Sequence, residues 1–559
     1  MIERGKCSLL SFLIAAFFAV CATGFAGTYW VSPTGTATWQ NCQSAIPLNG
    51  AAACSLSTAN SNAIAGDMVK LRSGNYVTPI QPKNPGRADA KITFVANEAS
   101  PIISGHNQWG TFYGILLSAV SYIKVEGIKA SDVDRLLGIL YGASHNEISN
   151  CILENASVAG IMIWQGSSSI QEPKPYVTNN WIHGCTIRQQ GFVTASCDDA
   201  GGLMQIGVPT YDGNSNNNTI ENNIWYSGAH HIMETYTLYN VIRGNVFHNE
   251  GWMDSPGGCP YTPDANGKYG NRNVQLYDGH NREGTYNLME GNRLGHAGQP
   301  PDDDGGSNME LTSPKNIIRY NSFFNGTNDG LYFKVGTGSY SNNNRVYNNT
   351  IFHNGYKVTS GMQSRRGIRL RNDITGNVIL NNIIYNNYGG DFSCTGYPCT
   401  INQLEVRNNW LNGDGDPKFV DPILSDTFSY TLPDLHLRMG SRAIDKGTHL
   451  TTATTAGSNS TNLIVGDALM FQDGTWGATI APIEPDEIAI GSVNNFVRIS
   501  KIDYSTNVIT LEKPATWQAG DKVWLYTKSD GIRVLYGASN DQGAYEYQVA
   551  PPSNLRVVN

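Results

Sequence analysis

One recurring phrase limits the folds open to this chain. An aliphatic residue, two variable residues and then Asn appear as Ile220-Glu-Asn-Asn223, Ile242-Arg-Gly-Asn245, Met289-Glu-Gly-Asn292, Ile318-Arg-Tyr-Asn321, Val346-Tyr-Asn-Asn349, Ile379-Leu-Asn-Asn382 and Val406-Arg-Asn-Asn409. Two earlier copies carry Cys in the Asn place, Ile148-Ser-Asn-Cys151 and Ile182-His-Gly-Cys185. Successive anchors lie 34, 38, 22, 47, 29, 28, 33 and 27 residues apart. Most of these steps suit one coil of a solenoid with a loop of variable length. The step of 47 requires a long insertion, and the Gly-, Pro- and Asp-rich stretch 251–271 supplies one. A single coil cannot bury its apolar face, whereas a stack can. Stacked strands lie about 4.8 Å apart. An Asn repeated at a bend can therefore bond to its neighbours above and below and satisfy the backbone there. Cys151 and Cys185 are then expected to be small, buried, reduced members of that ladder. A β-propeller would show blades of even length with their own signature, and the uneven steps disfavour it.

A second element precedes the anchors. Gly160-Ile-Met-Ile-Trp164, Asn273-Val-Gln-Leu-Tyr277, Asn308-Met-Glu-Leu-Thr312, Gly330-Leu-Tyr-Phe-Lys334 and Gly367-Ile-Arg-Leu-Arg371 alternate apolar and variable residues. Period two sends the apolar set inward and the others outward. Stacking the copies gives one outward column, Gln275, Glu310, Tyr332, Arg369, and a second, Tyr277, Thr312, Lys334, Arg371. Arg365 and Arg366 stand just before the last of these strands.

The expected organisation is an all-β chain. Residues 1–26 read as a secretion signal: Arg4 and Lys6 precede an apolar run from Leu9 to Val20, with small residues before a cleavage point after Ala26. Twelve apolar residues are too few to span a bilayer, so the mature chain is expected to be secreted or periplasmic, with no membrane span. Residues 27–448 are expected to form the solenoid with an N-terminal cap. Residues 449–535 read as an inserted small β-barrel or sandwich, 536–550 as a return to the solenoid end, and 551–559 as a tail. In the insert, Trp476, Trp517 and Trp524 either fill its core or bind sugar. Export permits disulfides, and Cys42 with Cys54, and Cys394 with Cys399, flank short loops. The formal charge of −8 over 559 residues gives no global attraction to nucleic acid or an anionic membrane. A polyanionic ligand would therefore need a local basic patch.

The opening Tyr29-Trp-Val-Ser-Pro-Thr-Gly35, the Asn ladder and the closing Asp541-Gln-Gly-Ala-Tyr-Glu546 resemble right-handed parallel β-helix proteins of the pectate-lyase-like superfamily. That resemblance implies a right-handed parallel β-helix and a polysaccharide partner bound along an outward strand face. It does not set the reaction. The segment Glu310-Leu-Thr-Ser-Pro-Lys315, followed by Lys334, is similar to the alginate lyase and chondroitinase B family. The similarity implies Glu310 as a calcium ligand, Lys315 as base, and Lys334 in place of an acidic-step Arg. Lys334 departs from the family in residue type, and Asn316 departs from its usual Ser.

Lyase chemistry on a uronate suits the basic columns. The proton on C5 is poorly acidic until the neighbouring carboxylate is neutralised, after which a base removes it and an acid assists the leaving oxygen. The expected catalytic residues are Lys315, Lys334, Tyr332, Arg369 and Arg371, with Gln275, Tyr277, Arg365, Arg366 and His231 binding substrate and Ca²⁺ at Glu310. Two other readings stand beside it. One is a non-catalytic adhesion or carbohydrate-binding module in which the solenoid is a stalk. The other is a glycoside hydrolase, which would need paired carboxylates; Asp198-Asp199 and Asp302–Asp304 are the acidic runs, set in loops. His230, His231 and His280 offer imidazoles without a clear third metal ligand.

Overall fold

The computed structural model describes residues 26–99, 101–105, 111–165, 176–190, 202–208, 215–226, 228, 231–248, 272–277, 285–297, 306–336, 339–356, 364–371, 374–395, 404–424 and 432–548. The proposed signal segment before Ala26, the tail, Cys399, Asp198, Asp199, Asp302–Asp304, His230 and His280 lie outside them.

The chain winds into a right-handed parallel β-helix. Its first wall is a 13-stranded parallel sheet that begins at Thr28–Val31 and ends at Glu405–Arg407. Within it, Val241–Arg243, Leu288–Glu290, Ile317–Arg319, Arg345–Tyr347 and Val378–Leu380 pair in sequence. The second wall stacks Val246–His248, Arg293–Gly295, Ser322–Phe324, Thr350–Phe352 and Ile383–Tyr385. The third stacks His231–Thr235, Arg272–Leu276, Met309–Leu311, Leu331–Phe333, Ile368–Arg371 and Phe392–Thr395. One continuous apolar core runs up the axis, including Ile242, Met289, Ile318, Val346 and Ile379 from the recurring phrase.

The recurring Asn forms the corner between the first and second walls. Asn321 N–H donates to Asn349 Oδ1 at 2.9 Å, Asn349 N–H to Asn382 Oδ1 at 2.9 Å, and Asn382 N–H to Asn409 Oδ1 at 3.0 Å. Cys151 and Cys185 continue the ladder as free, buried thiols. Cys151 N–H donates to Cys185 Sγ at 3.3 Å, and Cys185 N–H to Asn223 Oδ1 at 2.9 Å. The residue before each ladder position adopts positive φ: Asn348 at 51°, Asn381 at 57° and Gly291 at 67°. Left-handed backbone explains why Asn or Gly so often fills that variable place.

Two further Asn ladders went unread in the sequence. Asn180, Asn218, Asn240, Asn287, Asn316, Asn344 and Asn377 link up between the third and first walls. Asn273, Asn308, Asn354 and Asn387 do so between the second and third.

Cys42 and Cys54 form a disulfide beside the short helix Leu56–Asn62, whose Ser55 side chain accepts from the Thr58 N–H. At the far end, Phe419–Asp421 and Asp434–Leu437 pair antiparallel. Phe419, Leu435 and Leu437 join Trp410 in an apolar cluster with Phe324, Phe352 and Ile383 on the outer face of the second wall, separate from the axial core. Among the described residues no helix is long and apolar enough to cross a membrane.

A curled antiparallel sheet follows. Its strands run in the order Thr451–Thr452, Lys522–Thr527, Glu487–Ile490, Phe496–Asp503, Val508–Trp517, Gly457–Ile464. It lies flat against the outer face of the first wall. Val241, Leu288, Ile317, Tyr347, Val378 and Leu380 of that wall share one apolar cluster with Leu463, Phe471, Ile488 and Leu525. At the centre of the seam, fully buried Arg319 meets Glu290 at 2.6 Å and Asp486 at 2.7 Å. Trp476, Trp517 and Trp524 are all buried. They are core residues here, and the alternative of sugar binding through them does not hold because no ring face is open. Past the insert the chain returns to the helix, where Ala544 N–H donates to Thr350 Oγ1 at 3.0 Å.

Candidate functional site

The third wall carries the expected columns in register. Glu234, Gln275, Glu310, Tyr332 and Arg369 are successive partners across the parallel strands. In the next column Lys334 N–H bonds to Leu311 O and Thr312 N–H to Leu276 O, which sets Lys334 beside Thr312. Arg371 follows one coil on, paired with Thr395. The alternation of short β-strands is what points these polar side chains away from the core while Val274, Leu276, Met309, Leu311, Leu331 and Phe333 fill it.

Glu310 is the charge at the centre. Although it is on the outward column, it is 0 % exposed. Arg272 Nε sits 2.5 Å from Oε1 and Lys334 Nζ 3.6 Å from Oε2. Neither carboxylate oxygen has an aligned hydrogen bond, so charge rather than directed bonding holds this cluster. A buried carboxylate between two cations is stable only while both are present. The Lys334 side chain is 23 % exposed, so its ammonium reaches solvent from a buried anchor.

Next to it, Tyr332 is fully buried. The Arg369 guanidinium lies 4.4 Å from its ring centroid, and Arg371 Nη1 donates to its hydroxyl at 3.3 Å. Arg369 is buried as well, whereas Arg371 is half-buried at the surface. Beneath them Asp329 is fully buried, with Oδ1 accepting from Arg366 N–H at 2.8 Å and Oδ2 3.8 Å from Arg369 Nη1. Burial pushes its carboxyl up to about 6; the hydrogen bonds from Arg366 and Ser364 and the Arg369 charge counter this only in part.

Two coils away, His231 Nε2 and Glu234 Oε2 are 3.0 Å apart, and the Tyr236 hydroxyl donates to Glu234. Burial alone would raise the Glu234 carboxyl, but the His231 charge and hydrogen bond, Tyr236 and Arg272 together lower it. Tyr277 packs edge-on to Tyr236 at 5.0 Å and is half-buried at the rim of this cluster, and Gln275 is buried between Glu234 and Glu310.

Lys315 is not in this constellation. It sits at a positive-φ corner, φ 59°, and its ammonium lies 5.6 Å from the Tyr286 ring centroid. It lines a cleft of about 580 Å³ with Arg345, Asp467 and Tyr504, on the side covered by the insert. The chain turns a corner between Glu310 and Lys315, so the two side chains face different walls. This corrects the pairing of Lys315 with Glu310. Calcium does not fit at Glu310 either. Its carboxylate faces Arg272 and Lys334, which repel a cation, and Ca²⁺ wants six to eight oxygen ligands. Among the described residues no group of three His, Cys, Asp or Glu could hold a metal.

Arg272, Asp329 and Glu234 escaped the sequence reading. Aligning His231-Ile-Met-Glu-Thr235 with Arg272-Asn-Val-Gln-Leu276 would have exposed Glu234 and Arg272. Asp329 sits in a turn and carries no periodic signal.

Residues 113–259 match a family model described as right handed beta helix region. Among solved structures, pectate lyase Pel9A is similar at 15% identity and TM-score 0.43, over 77% of this chain and 94% of that one. An alginate lyase from Paenibacillus sp. str. FPU-7 is similar at 15% identity and TM-score 0.38, over 63% and 98%. A GH136 lacto-N-biosidase from Eubacterium ramulus is similar at 13% identity and TM-score 0.41, over 68% of each chain. No curated protein matches the sequence. At such identities and TM-scores the likeness says nothing about a reaction, and the fold rests on the strand pairings above.

Proposed function

We propose that this β-helix protein binds an acidic polysaccharide across the third wall and cleaves it by β-elimination at a uronate. The observation that carries the reading is the pair Lys334 and Arg371, which reach the surface on adjacent coils from a buried base of Glu310, Arg272, Tyr332 and Arg369. A stalk would leave such columns as independent solvated side chains. Here they are packed and charge-coupled, which favours a working site over the adhesion reading.

In this scheme Arg371 neutralises the uronate carboxylate and so acidifies the C5 proton. Lys334, as the free amine, takes the C5 proton and passes it to the leaving glycosidic oxygen, so that the C4–O bond breaks as the C4–C5 double bond forms and the proton removed is the proton delivered. Glu310 positions the Lys334 side chain from the buried side, 3.6 Å from its Nζ. Tyr332 and Arg369 are too deeply buried to touch a substrate. Tyr332 fixes Arg371 through its hydroxyl, and Arg369 holds the Tyr332 ring in place. Tyr277, Arg365 and Arg366 border the path, whereas Gln275 and His231 are as buried as Arg369 and lie behind it.

The test is incubation of the mature protein with alginate, pectate and glycosaminoglycans, following the ultraviolet absorbance of unsaturated products. Product is expected on one of them, and Lys334→Ala should lower the rate by roughly 100-fold or more with an unchanged melting temperature. New reducing ends without that absorbance would mean hydrolysis. Binding without any cleavage would leave the carbohydrate-binding module.

A further inference from the structure

We propose that Tyr356, Tyr388, Arg365 and Arg366 form a second binding subsite, for an anionic sugar residue of the same glycan. The inference rests on the polysaccharide reading above and extends it to the corner between the second and third walls.

Tyr356 and Tyr388 stand on adjacent coils, 41% and 54% exposed. Their rings touch with centroids 5.4 Å apart at 88°. Two large rings left open side by side form an apolar surface against which the C–H face of a sugar ring can pack. They are also held in place. Tyr356 stacks on His353 at 4.1 Å and 8°, and its hydroxyl donates to Asn386 Oδ1 at 2.8 Å. The Arg365 guanidinium lies 3.9 Å from the Tyr388 ring centroid. The backbone between these side chains is tied as well: Tyr388 N–H donates to Asn354 O at 2.9 Å, Gly389 N–H to Arg365 O at 2.7 Å, and Arg365 N–H to Asn328 Oδ1 at 3.1 Å. A subsite that is already rigid loses little entropy when a ligand binds.

Charge selects the ligand. The chain as a whole carries −8, yet Arg365 and Arg366 lie here and lead directly into Arg369 and Arg371. Of the acids among them, Asp329 is buried and accepts from Arg366 N–H, while half-buried Asp391 accepts from Asn412 N–H and offsets part of the Arg366 charge. An open aromatic face beside guanidinium groups matches a sugar that bears a carboxylate or sulfate. Arg369 stands three positions after Arg366, about 10 Å of extended strand, so one glycan chain can occupy this corner and the Lys334–Arg371 site together.

The proposal is tested by calorimetric binding of alginate, pectate and sulfated glycosaminoglycan oligosaccharides to the mature protein. Lys334→Ala is used as the background so that nothing is cleaved. The double variant Tyr356→Ala/Tyr388→Ala in that background should bind the preferred glycan roughly tenfold more weakly, with an unchanged melting temperature, while Tyr356→Phe/Tyr388→Phe retains affinity. The carboxylated and sulfated arms identify which anion is recognised. If the background binds and the double Ala variant binds equally well, the subsite is wrong and the polysaccharide reading stands. If the Phe pair loses affinity together with the Ala pair and the melting temperature falls, the rings are structural and the subsite is again wrong. If no acidic glycan binds at all, both readings fall.

Discussion

Asp329 shows how one residue ties this site to pH. Its carboxyl titrates near 6 in the fold against 3.8 as an ordinary aspartate, because burial penalises the anion. The folded state therefore binds this proton more tightly than the unfolded state does. Its contribution to stability is most favourable below about pH 4 and is lost as pH rises through about 6. Two units correspond to about 3 kcal/mol at most. Asp329→Asn keeps the oxygen that accepts from Arg366 and removes the titration. The variant should match the wild type in urea midpoint near pH 4 and exceed it by about 1–3 kcal/mol at pH 7; equal midpoints at both pH values would refute the burial argument. Glu310 depends instead on the cations beside it. Arg272→Ala strips its closest cation from a fully buried carboxylate and should cost about 3–5 kcal/mol in chemical denaturation. At this scale Glu310, Tyr332, Lys334 and Arg369 were legible, because period two places every second residue outward whatever its chemistry. Lys315 was misplaced because proximity in sequence says nothing about which wall follows a corner.

The ladder is the element that repeats, and its cost is paid locally. Asn349 donates through Nδ2 to Ile318 O, Tyr347 O and Asn382 Oδ1, and accepts the Asn321 N–H. Asn349→Ala leaves buried backbone groups unpaired and should cost about 2–4 kcal/mol in equilibrium unfolding. Cys185 occupies the same kind of place, accepting from Cys151 N–H and lying next to Asn223. Cys185→Asn should be within about 1 kcal/mol of wild type, since the corner already bonds Asn at seven other coils; a loss as large as that of Asn349→Ala would mean that the Cys corners differ in shape. This ladder was visible because its spacing repeats. One of the two others was within reach, since Asn240, Asn287, Asn316, Asn344 and Asn377 each stand five residues ahead of a ladder Asn, whereas Asn273, Asn308, Asn354 and Asn387 share no fixed phrase.

For the whole molecule, the insert and the β-helix act as one body through a buried charge. Arg319 is held between Glu290 and Asp486, and Arg243 bridges Glu221 to the Ser529 carbonyl. Burial would raise the Glu290 carboxyl, but the charges of Arg319, Lys528 and Arg243 outweigh it and hold it down to about 2. Arg319→Leu takes the guanidinium from two buried carboxylates, leaving Glu290 with Ser529 Oγ and Asp486 with Gln472. It should destabilise by about 3–5 kcal/mol and open the seam, seen as protease cleavage within 449–535. An intact insert under conditions that cut the variant's isolated loops would show that apolar packing alone holds the seam.

The sequence by itself determined the coil, because short strands with period two and a corner Asn at each turn have few ways to bury their apolar side except by stacking. It also determined which residues line the outward columns, since alternation is a property of the strand. Only the tertiary structure decided which columns are covered and which are open. The insert lies on the first wall and takes its Trp residues inward, while Tyr356 and Tyr388 remain exposed at another corner. The physical reason is that burial depends on what packs across a surface from elsewhere in the chain, and local periodicity carries no record of that partner.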